Sequence, residues 1–281
     1  MTCCSKIDIL TAPFTPISLG QLNAKAEMMA RIDNKYVMPR ATFLDLIPDF
    51  AQAYDVLEID GKRAFSYDTR YFDDADCSAY FEHHQGKRLG FKVRARSYVD
   101  AGLCFLEVKV KGQRGMTEKY RMPYDPADLH GLSDEAAEFA RTTYGRQYGK
   151  PFPYALAPSL DVSYRRITLV AKSGGERITI DTDLRFLSDG KVLAAGTDRF
   201  IMETKSANGR GHADRLLRKA GERPTRRCSK YCIGMALTGR VTRYNRFIPT
   251  MRKLGLHPPA CGQLKRPFGM DEPAVGVVGV A

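Results

Sequence analysis

Lysine and arginine recur at two-residue spacing in several short segments of this chain, and that spacing can build a phosphate-binding surface. In Phe91-Lys92-Val93-Arg94-Ala95-Arg96, an extended backbone puts Lys92, Arg94 and Arg96 on one face and Phe91, Val93 and Ala95 on the other. Cys104 to Lys111 repeats the arrangement, with Glu107, Lys109 and Lys111 opposite Cys104, Leu106, Val108 and Val110. Arg177-Ile178-Thr179-Ile180-Asp181 does so again. Any antiparallel strand with one wet face alternates in this way. What sets these strands apart is sign, since they carry mostly cations where a wet face mixes Lys, Glu, Thr and Ser. Arginine's planar fork gives two parallel hydrogen bonds to phosphate, and fixed cations on neighbouring strands suit a polyanion. Phosphoryl transfer needs little covalent help, only in-line positioning and neutralisation of charge on the equatorial oxygens. A metal bridging phosphates needs hard oxygen ligands, and Glu203 is the best candidate, sharing a face with Ile201 and Lys205. Taken alone, Glu203 reads first as a salt-bridge partner of a neighbouring Arg, and Glu107 as a group that orients Lys and Arg.

The whole chain of 281 residues has the same bias, with a net charge of +12 and a pI near 9.4, so an acidic partner is expected. Nucleic acid, a phosphorylated metabolite and an anionic membrane surface all meet that description. The length allows a sizeable core in one domain, and no linker divides it. Seven cysteines, odd in number and scattered, point to reduced thiols in a cytoplasm, and Cys228 and Cys232 lack the companions of a zinc site. No apolar run resembles a signal peptide or spans a bilayer, so a soluble cytoplasmic protein is expected, with Ala274 to Ala281 in a disordered tail.

The elements that must position these charges can be read in order. Ser18-Leu19-Gly20-Gln21 is a capping box opening a helix with Leu22, Ala26 and Met29 on one side, followed by a strand at Arg31 to Met38. A helix after Pro39 leads to strands at Val56 to Asp60 and Arg63 to Tyr71, which Asp60-Gly61 predicts to be a hairpin. A short helix over 74–84 precedes a three-strand meander turning at Asp100-Ala101-Gly102 and Gly112 to Gly115 and ending with Thr117 to Met122. A helix over Ser133 to Thr142, a Pro- and Tyr-rich loop, strands at Leu160 to Ala171, Arg177 to Phe186 and Phe200 to Lys205, and a basic helical end complete the reading. The fold class is α+β: an antiparallel sheet of about eight strands, near the size that closes into a barrel. The helices need the apolar face of the sheet, which turns the charged face inward, and a lumen full of Lys and Arg must hold water, carboxylates or an anion.

Seven segments occur in an order that resembles a known family: Arg31-Ile32-Asp33-Asn34-Lys35-Tyr36, Lys92-Val93-Arg94-Ala95-Arg96, Glu107 to Lys111, Tyr164-Arg165-Arg166, Arg177 to Leu184, Met202-Glu203-Thr204-Lys205 and Ser229-Lys230-Tyr231. Together they are similar to the catalytic domain of the vacuolar transporter chaperone (VTC) polyphosphate polymerases, a branch of the CYTH-like triphosphate tunnel metalloenzymes. The resemblance covers about Asn23 to Arg252 and implies a closed tunnel barrel with a charged lumen. It implies transfer of the γ-phosphate of ATP, or another nucleoside triphosphate, to inorganic polyphosphate with Mn2+ or Mg2+. On this basis Lys35, Arg94, Arg96, Lys109, Arg166, Arg177 and Lys230 are the expected catalytic cations and Glu203 the metal ligand. Lys92, Lys111, Lys119, Arg121 and Lys205 join the phosphate-binding set. The expected domain runs over 18–255, between an N-terminal extension at 1–17 and a tail at 256–281. Two departures stand out: no membrane span or phosphate-sensing domain accompanies it, leaving room for a membrane-attached partner, and Thr204 replaces an aliphatic residue, a change expected only to retune packing.

Three other readings compete. A hydrolytic tunnel enzyme usually starts with a Glu-x-Glu-x-Lys strand, whereas Arg31-Ile32-Asp33-Asn34-Lys35 carries fewer carboxylates to activate water. A nucleic-acid module would explain the charge, but no aromatic platform or helix-turn-helix is evident, so nucleic acid is not expected as a partner. A non-catalytic polyphosphate sensor would bind without consuming ATP. His83-His84 point to different faces of a helix and receive no role. The basic C-terminal residues, among them Arg215, Arg218, Arg223, Arg226, Arg227, Arg243 and Arg246, read mostly as a solvated surface or as an extension of the anion path at a tunnel mouth.

Overall fold

The spacing of apolar residues decides which elements wrap the sheet and from which side. A computed structural model describes residues 6–25, 32–112, 117–125, 131–188, 190–196 and 198–257. Its strands are β1 (Thr15–Ile17), β2 (Ile32–Pro39), β3 (Tyr54–Leu57), β4 (Ala64–Asp73), β5 (Phe91–Tyr98), β6 (Leu103–Lys111), β7 (Thr117–Pro123), β8 (Ala157–Ala171), β9 (Arg177–Ser188), β10 (Lys191–Ala194) and β11 (Arg199–Ser206). The helices are α1 (Lys6–Thr11), α2 (Leu19–Lys25), α3 (Arg40–Ala53), α4 (Ser78–Gln85), α5 (Asp134–Tyr148), α6 (His212–Lys219), α7 (Lys230–Leu237) and α8 (Ile248–Lys253).

Eight strands follow one another in the order β2-β11-β9-β8-β4-β5-β6-β7, all antiparallel, which is the predicted α+β sheet. The sheet curls without strict closure: among the described residues β2 and β7 do not pair. The free edge of β2 is met instead by the segment before α7, where Thr225 N–H donates to the Lys35 carbonyl at 2.6 Å and the Thr225 hydroxyl accepts from Val37 N–H at 3.1 Å. That segment occupies the seam a closing strand would use.

The predicted hairpin at Asp60-Gly61 is corrected in a specific way. Both residues have the positive φ a tight turn demands, but only Ile59 and Lys62 pair across it. The flanking strands β3 and β4 lie one after the other along the same edge of β8, Val56 opposite Leu169 and Ala64 opposite Ile167. The fifteen residues of β8 offer more ladder than a short hairpin, and they take both partners.

Helices cover the outer face, as the alternation predicts. In α3, Phe43, Leu46, Ile47 and Phe50 recur at helical spacing and pack with Met38, Leu169, Ile178, Ile180 and Met202. On the other side α5 lays Ala136, Ala140 and Tyr144 against Val93, Ala95, Leu106 and Val108. It extends to Tyr148, past the predicted end at Thr142, because Tyr144 and Tyr148 continue that apolar face as far as Gly149 in the left-handed region. The capping box forms, Gln21 N–H donating to the Ser18 hydroxyl and Ser18 N–H to the Gln21 side chain; the predicted Ala26 and Met29 lie outside the described residues. Ile7, Leu10 and Phe14 join the core cluster of α3, and β1 pairs with β3, so residues 6–17 pack onto the sheet. Of the expected tail, Leu256 is buried and residues from 258 onward lie outside the described set. No helix among the described residues is long and apolar enough to cross a membrane.

The lumen is blocked over part of its length by α7. Tyr231, Ile233, Met235 and Leu237 pack with Leu160, Val162, Leu184, Phe186 and Ile201. A Cβ on Gly234 would overlap Leu160 Cδ2 and stand 2.6 Å from Phe186 Cδ1. Gly234→Ala is therefore expected to destabilise the protein by about 1–3 kcal/mol, and an unchanged melting temperature would show that α7 does not seat this closely.

Candidate functional site

Alternation on the strands of the curled sheet delivers its charged face to a cavity of about 840 Å3. β2 contributes Lys35; β11, Glu203 and Lys205; β9, Arg177; β8, Arg166; β5, Lys92, Arg94 and Arg96; β6, Lys109 and Lys111; β7, Lys119; the first turn of α7, Lys230. β4 adds Tyr67 and Tyr71. Every sequence-predicted site residue except Arg121 lines this one cavity. Arg121 sits over the Phe105 ring at 4.8 Å and lies outside the lining.

Two buried carboxylates hold five of these cations, Arg94, Arg96, Lys119, Arg166 and Lys230, from below. Glu107 is fully buried and accepts from Arg94 Nε at 2.7 Å and Lys119 Nζ at 3.2 Å, with Arg96 at 3.9 Å, the orienting role its sequence position suggested. Asp181 accepts both arms of Arg166, at 2.6 and 2.9 Å, and also Lys230 Nζ. Burial pushes both acids up, but the surrounding cations outweigh it: Arg94 and Arg96 hold Glu107 well below the usual carboxylate range, and Arg166 and Lys230 bring Asp181 down to about 2. The guanidiniums are further fixed on aromatic faces, Arg166 over Tyr67 and Tyr164 and Arg94 over Tyr71.

The lumen nevertheless remains short of negative charge. Arg94, then burial and Arg96, drive the Lys109 pKa well below that of an ordinary lysine, and Lys109 has no ion-pair partner among the described residues. Lys92 is lowered by burial and, among the described residues, its ammonium bonds only to the Ser229 hydroxyl, at 3.2 Å. Burial takes Lys205 down to about 8, with Glu203 opposing and Arg166 and Arg177 assisting.

Glu203 faces Lys35 at 3.4 Å and Lys205 at 3.9 Å, so the salt-bridge reading of this residue is also realised. Burial raises its pKa, but Lys205, Lys35 and Arg166 keep it well below the usual range. Asp33, opposite Lys205 on β2, also lines the cavity and reaches Glu203 as a hydrogen-bonding partner. Two carboxylates this close require a proton or a cation between them. No group of three or more His, Cys, Asp or Glu stands together among the described residues, so a divalent ion would draw its remaining ligands from substrate phosphates and water. One or two carboxylates plus phosphates is a donor set that suits Mg2+ or Mn2+, and the residues present fit it.

Behind this strand pair lies a group the sequence did not disclose. Asp214, buried on α6, accepts from Asn34 at 3.0 Å, Tyr36 at 2.7 Å and Thr204 at 2.8 Å, and from Gly211 N–H at 3.0 Å. These residues alternate with Asp33, Lys35 and Glu203, so Asp214 fixes the register of the carboxylate-bearing strands from the outside. Thr204 is thus a buried hydrogen-bond donor, and its departure from an aliphatic residue does more than adjust packing. His83, given no role in the sequence, lines the cavity; burial and then Lys92, Arg227 and Lys111 lower its pKa to about 3, so it is neutral.

Residues 30–238 match the VTC domain. The chain belongs to the VTC domain family. No curated protein matches the sequence. Among solved structures, this VTC domain is similar to a candidate adenylate cyclase from Bacillus halodurans, at 14% identity and TM-score 0.44 over 71% of this chain and 95% of that one. It is also similar to a candidate adenylyl cyclase from Hippeastrum described as having a dominant triphosphatase activity, at 14% identity and TM-score 0.45 over 76% and 97% of the two chains.

Because Lys205 in the free VTC domain titrates near 8, it is charged with or without anion below that pH. Above it, binding a polyanion must take up a proton. Affinity for tripolyphosphate in chelator is expected to fall as pH rises through 8, with proton uptake visible by calorimetry in buffers of different ionisation enthalpy. A flat affinity from pH 7 to 9 without proton exchange would remove Lys205 from the binding set.

Proposed function

We propose that this VTC domain is a metal-dependent polyphosphate polymerase that transfers the γ-phosphate of ATP, or another nucleoside triphosphate, to a growing inorganic polyphosphate chain inside its basic lumen. The observation that carries this reading is the under-neutralised cationic lumen, in which Arg94, Arg96, Lys109 and Arg166 converge while Glu107 holds the first two and Asp181 holds Arg166 from the wall. A terminal polyphosphate oxygen, already deprotonated, attacks the γ-phosphorus; the bond from γ-phosphorus to the β–γ bridging oxygen breaks, and ADP leaves with the electron pair. No side-chain nucleophile is needed, so the task of the protein is to align the two anions and spread their charge. Arg94, Arg96 and Arg166 neutralise equatorial oxygens by forked hydrogen bonds, Lys35, Lys109 and Lys230 act as point charges, and Lys92, Lys111, Lys119 and Lys205 hold the chain on either side. Glu203, with Asp33, would hold Mn2+ or Mg2+, which when bound screens charge on the phosphate oxygens. A cytoplasmic supply of ATP suits this chemistry.

Transfer is favoured over hydrolysis because the first tunnel strand supplies Asp33 but no second acid to activate water. The test is incubation of the purified protein with γ-labelled ATP and Mn2+ or Mg2+, with products separated. Label in long chains with equimolar ADP supports the polymerase. Free labelled phosphate alone would make it a triphosphatase, and tight polyphosphate binding without turnover would make it a sensor.

A further inference from the structure

Beyond the strands of the sheet, positive charge is concentrated in one stretch of the chain. Residues 207–253 carry thirteen Lys and Arg against two acids, Asp214 and Glu222, a net of +11 in a chain whose total is +12. Several of these cations gather at the last turn of α4. Arg227 Nη1 donates to the His83 carbonyl at 3.2 Å, Arg246 Nη1 to the next carbonyl, His84, at 2.8 Å, and the Arg243 carbonyl accepts from the Tyr80 hydroxyl at 2.8 Å. Lys87, Arg226 and Arg227 line the opening of the cavity, whereas Arg243 and Arg246 lie beyond it. All five are exposed, and none has a carboxylate partner within 4.0 Å among the described residues. The one carboxylate of α4, Glu82, is buried and takes a hydrogen bond from Tyr154.

We propose that this rim is an external track for inorganic polyphosphate, holding the part of a long chain that extends beyond the lumen. The inference rests on the function proposed above. The four steps along β5 from Lys92 to Arg96 span about 13 Å at roughly 3.3 Å per residue, so a short phosphate chain is met by lumen cations alone and a long one must continue outside. The path is continuous in charge: His83 stands among Lys92, Lys111 and Arg227, and His84 among Arg227, Arg243 and Arg246. Burial, followed by these cations, lowers both imidazoles, with the Asn245 bond opposing at His84, so the charge of the path comes from its lysines and arginines. Guanidiniums anchored on helix-terminal carbonyls are held in place yet keep other N–H groups for phosphate, and the negative end of α4 favours them there.

The test compares tripolyphosphate with long-chain polyphosphate on the full chain in chelator, for the wild type and for Arg243→Ser combined with Arg246→Ser. Long-chain affinity is expected to fall about tenfold and its salt slope by about 1–2, as for two lost phosphate contacts, while tripolyphosphate affinity stays unchanged. Lysine at both positions should restore most of the long-chain affinity. Unchanged long-chain affinity overturns the proposal, as does an equal loss for both ligands, which would mean that the substitutions disturb the lumen. Loss of binding to phosphatidylglycerol vesicles with long-chain affinity intact also overturns it, making the rim a lipid-headgroup surface. Failure of the underlying reading shows separately: Arg94→Ala would then leave tripolyphosphate affinity unchanged.

Discussion

Glu203→Gln is expected to lower metal-dependent turnover by about a thousandfold or more, the scale on which charge stabilisation at a transferring phosphoryl group acts, while polyphosphate binding in chelator is kept or tightened. The substitution preserves shape and removes one negative charge from a lumen that otherwise attracts anions. Lys35 and Lys205, which face Glu203 at 3.4 and 3.9 Å, would be released to phosphate. Affinity for Mn2+ should fall with turnover, because Asp33 alone is then left to hold the ion. Turnover and Mn2+ affinity both at wild-type levels would reduce Glu203 to the salt-bridge partner that its sequence position equally allows.

Asp181→Ala is expected to have the largest effect on stability. Asp181 is 3% exposed and its carboxylate holds both arms of Arg166 together with Lys230, so its loss leaves two neighbouring cations without a counter-charge. Breaking a buried pair in this way costs about 3–5 kcal/mol, equivalent to roughly 10 °C of melting temperature in a chain of this size. Long-chain polyphosphate, which supplies the missing charge, should restore most of the loss. The pH dependence has a definite sign. The carboxyl sits near 2 in the folded protein, so its stabilisation is fully present above the unfolded carboxyl range near 4 and is lost as pH falls towards 2. Asp181→Ala should therefore flatten the acid limb of the stability curve. A variant with unchanged melting temperature and the same acid limb would show that Asp181 does not clamp the lumen.

What could be read from the sequence depended on whether a signal was local. The faces of β5 and β6 were legible because alternation needs no knowledge of a partner strand, and α3 because its apolar residues repeat along one helix. Inward charge followed from asking what the helices could bury. By contrast, β3 and β4 looked like a hairpin because Asp60-Gly61 does form the turn; only the length of β8, one hundred residues further on, decides that the two strands pair with β8 instead of each other. β10 and β1 are too short to show a period. The lumen cations could be listed from their strands, but their counter-charges could not be matched to them. Asp181 and Arg166 meet only through the register of β8 and β9, and Asp214 reaches Thr204 and Tyr36 from a separate helix. Arg121 illustrates the same limit, since period alone could not show that it ends over Phe105. The part played by α7 was hidden as well: Ser229-Lys230-Tyr231 stood out as one of the seven family-like segments, but nothing in it shows that it starts the helix that closes part of the lumen with Tyr231 against Tyr71.

The most direct test of the central claim, that the lumen is the phosphate site, is a crystal structure of the protein with tripolyphosphate and Mn2+, using the anomalous signal of the metal. Phosphate density is expected along Arg94, Arg96, Lys109 and Arg166, with a manganese peak beside Glu203. Phosphate density confined to the outer surface, with no anomalous peak in the lumen, would contradict it.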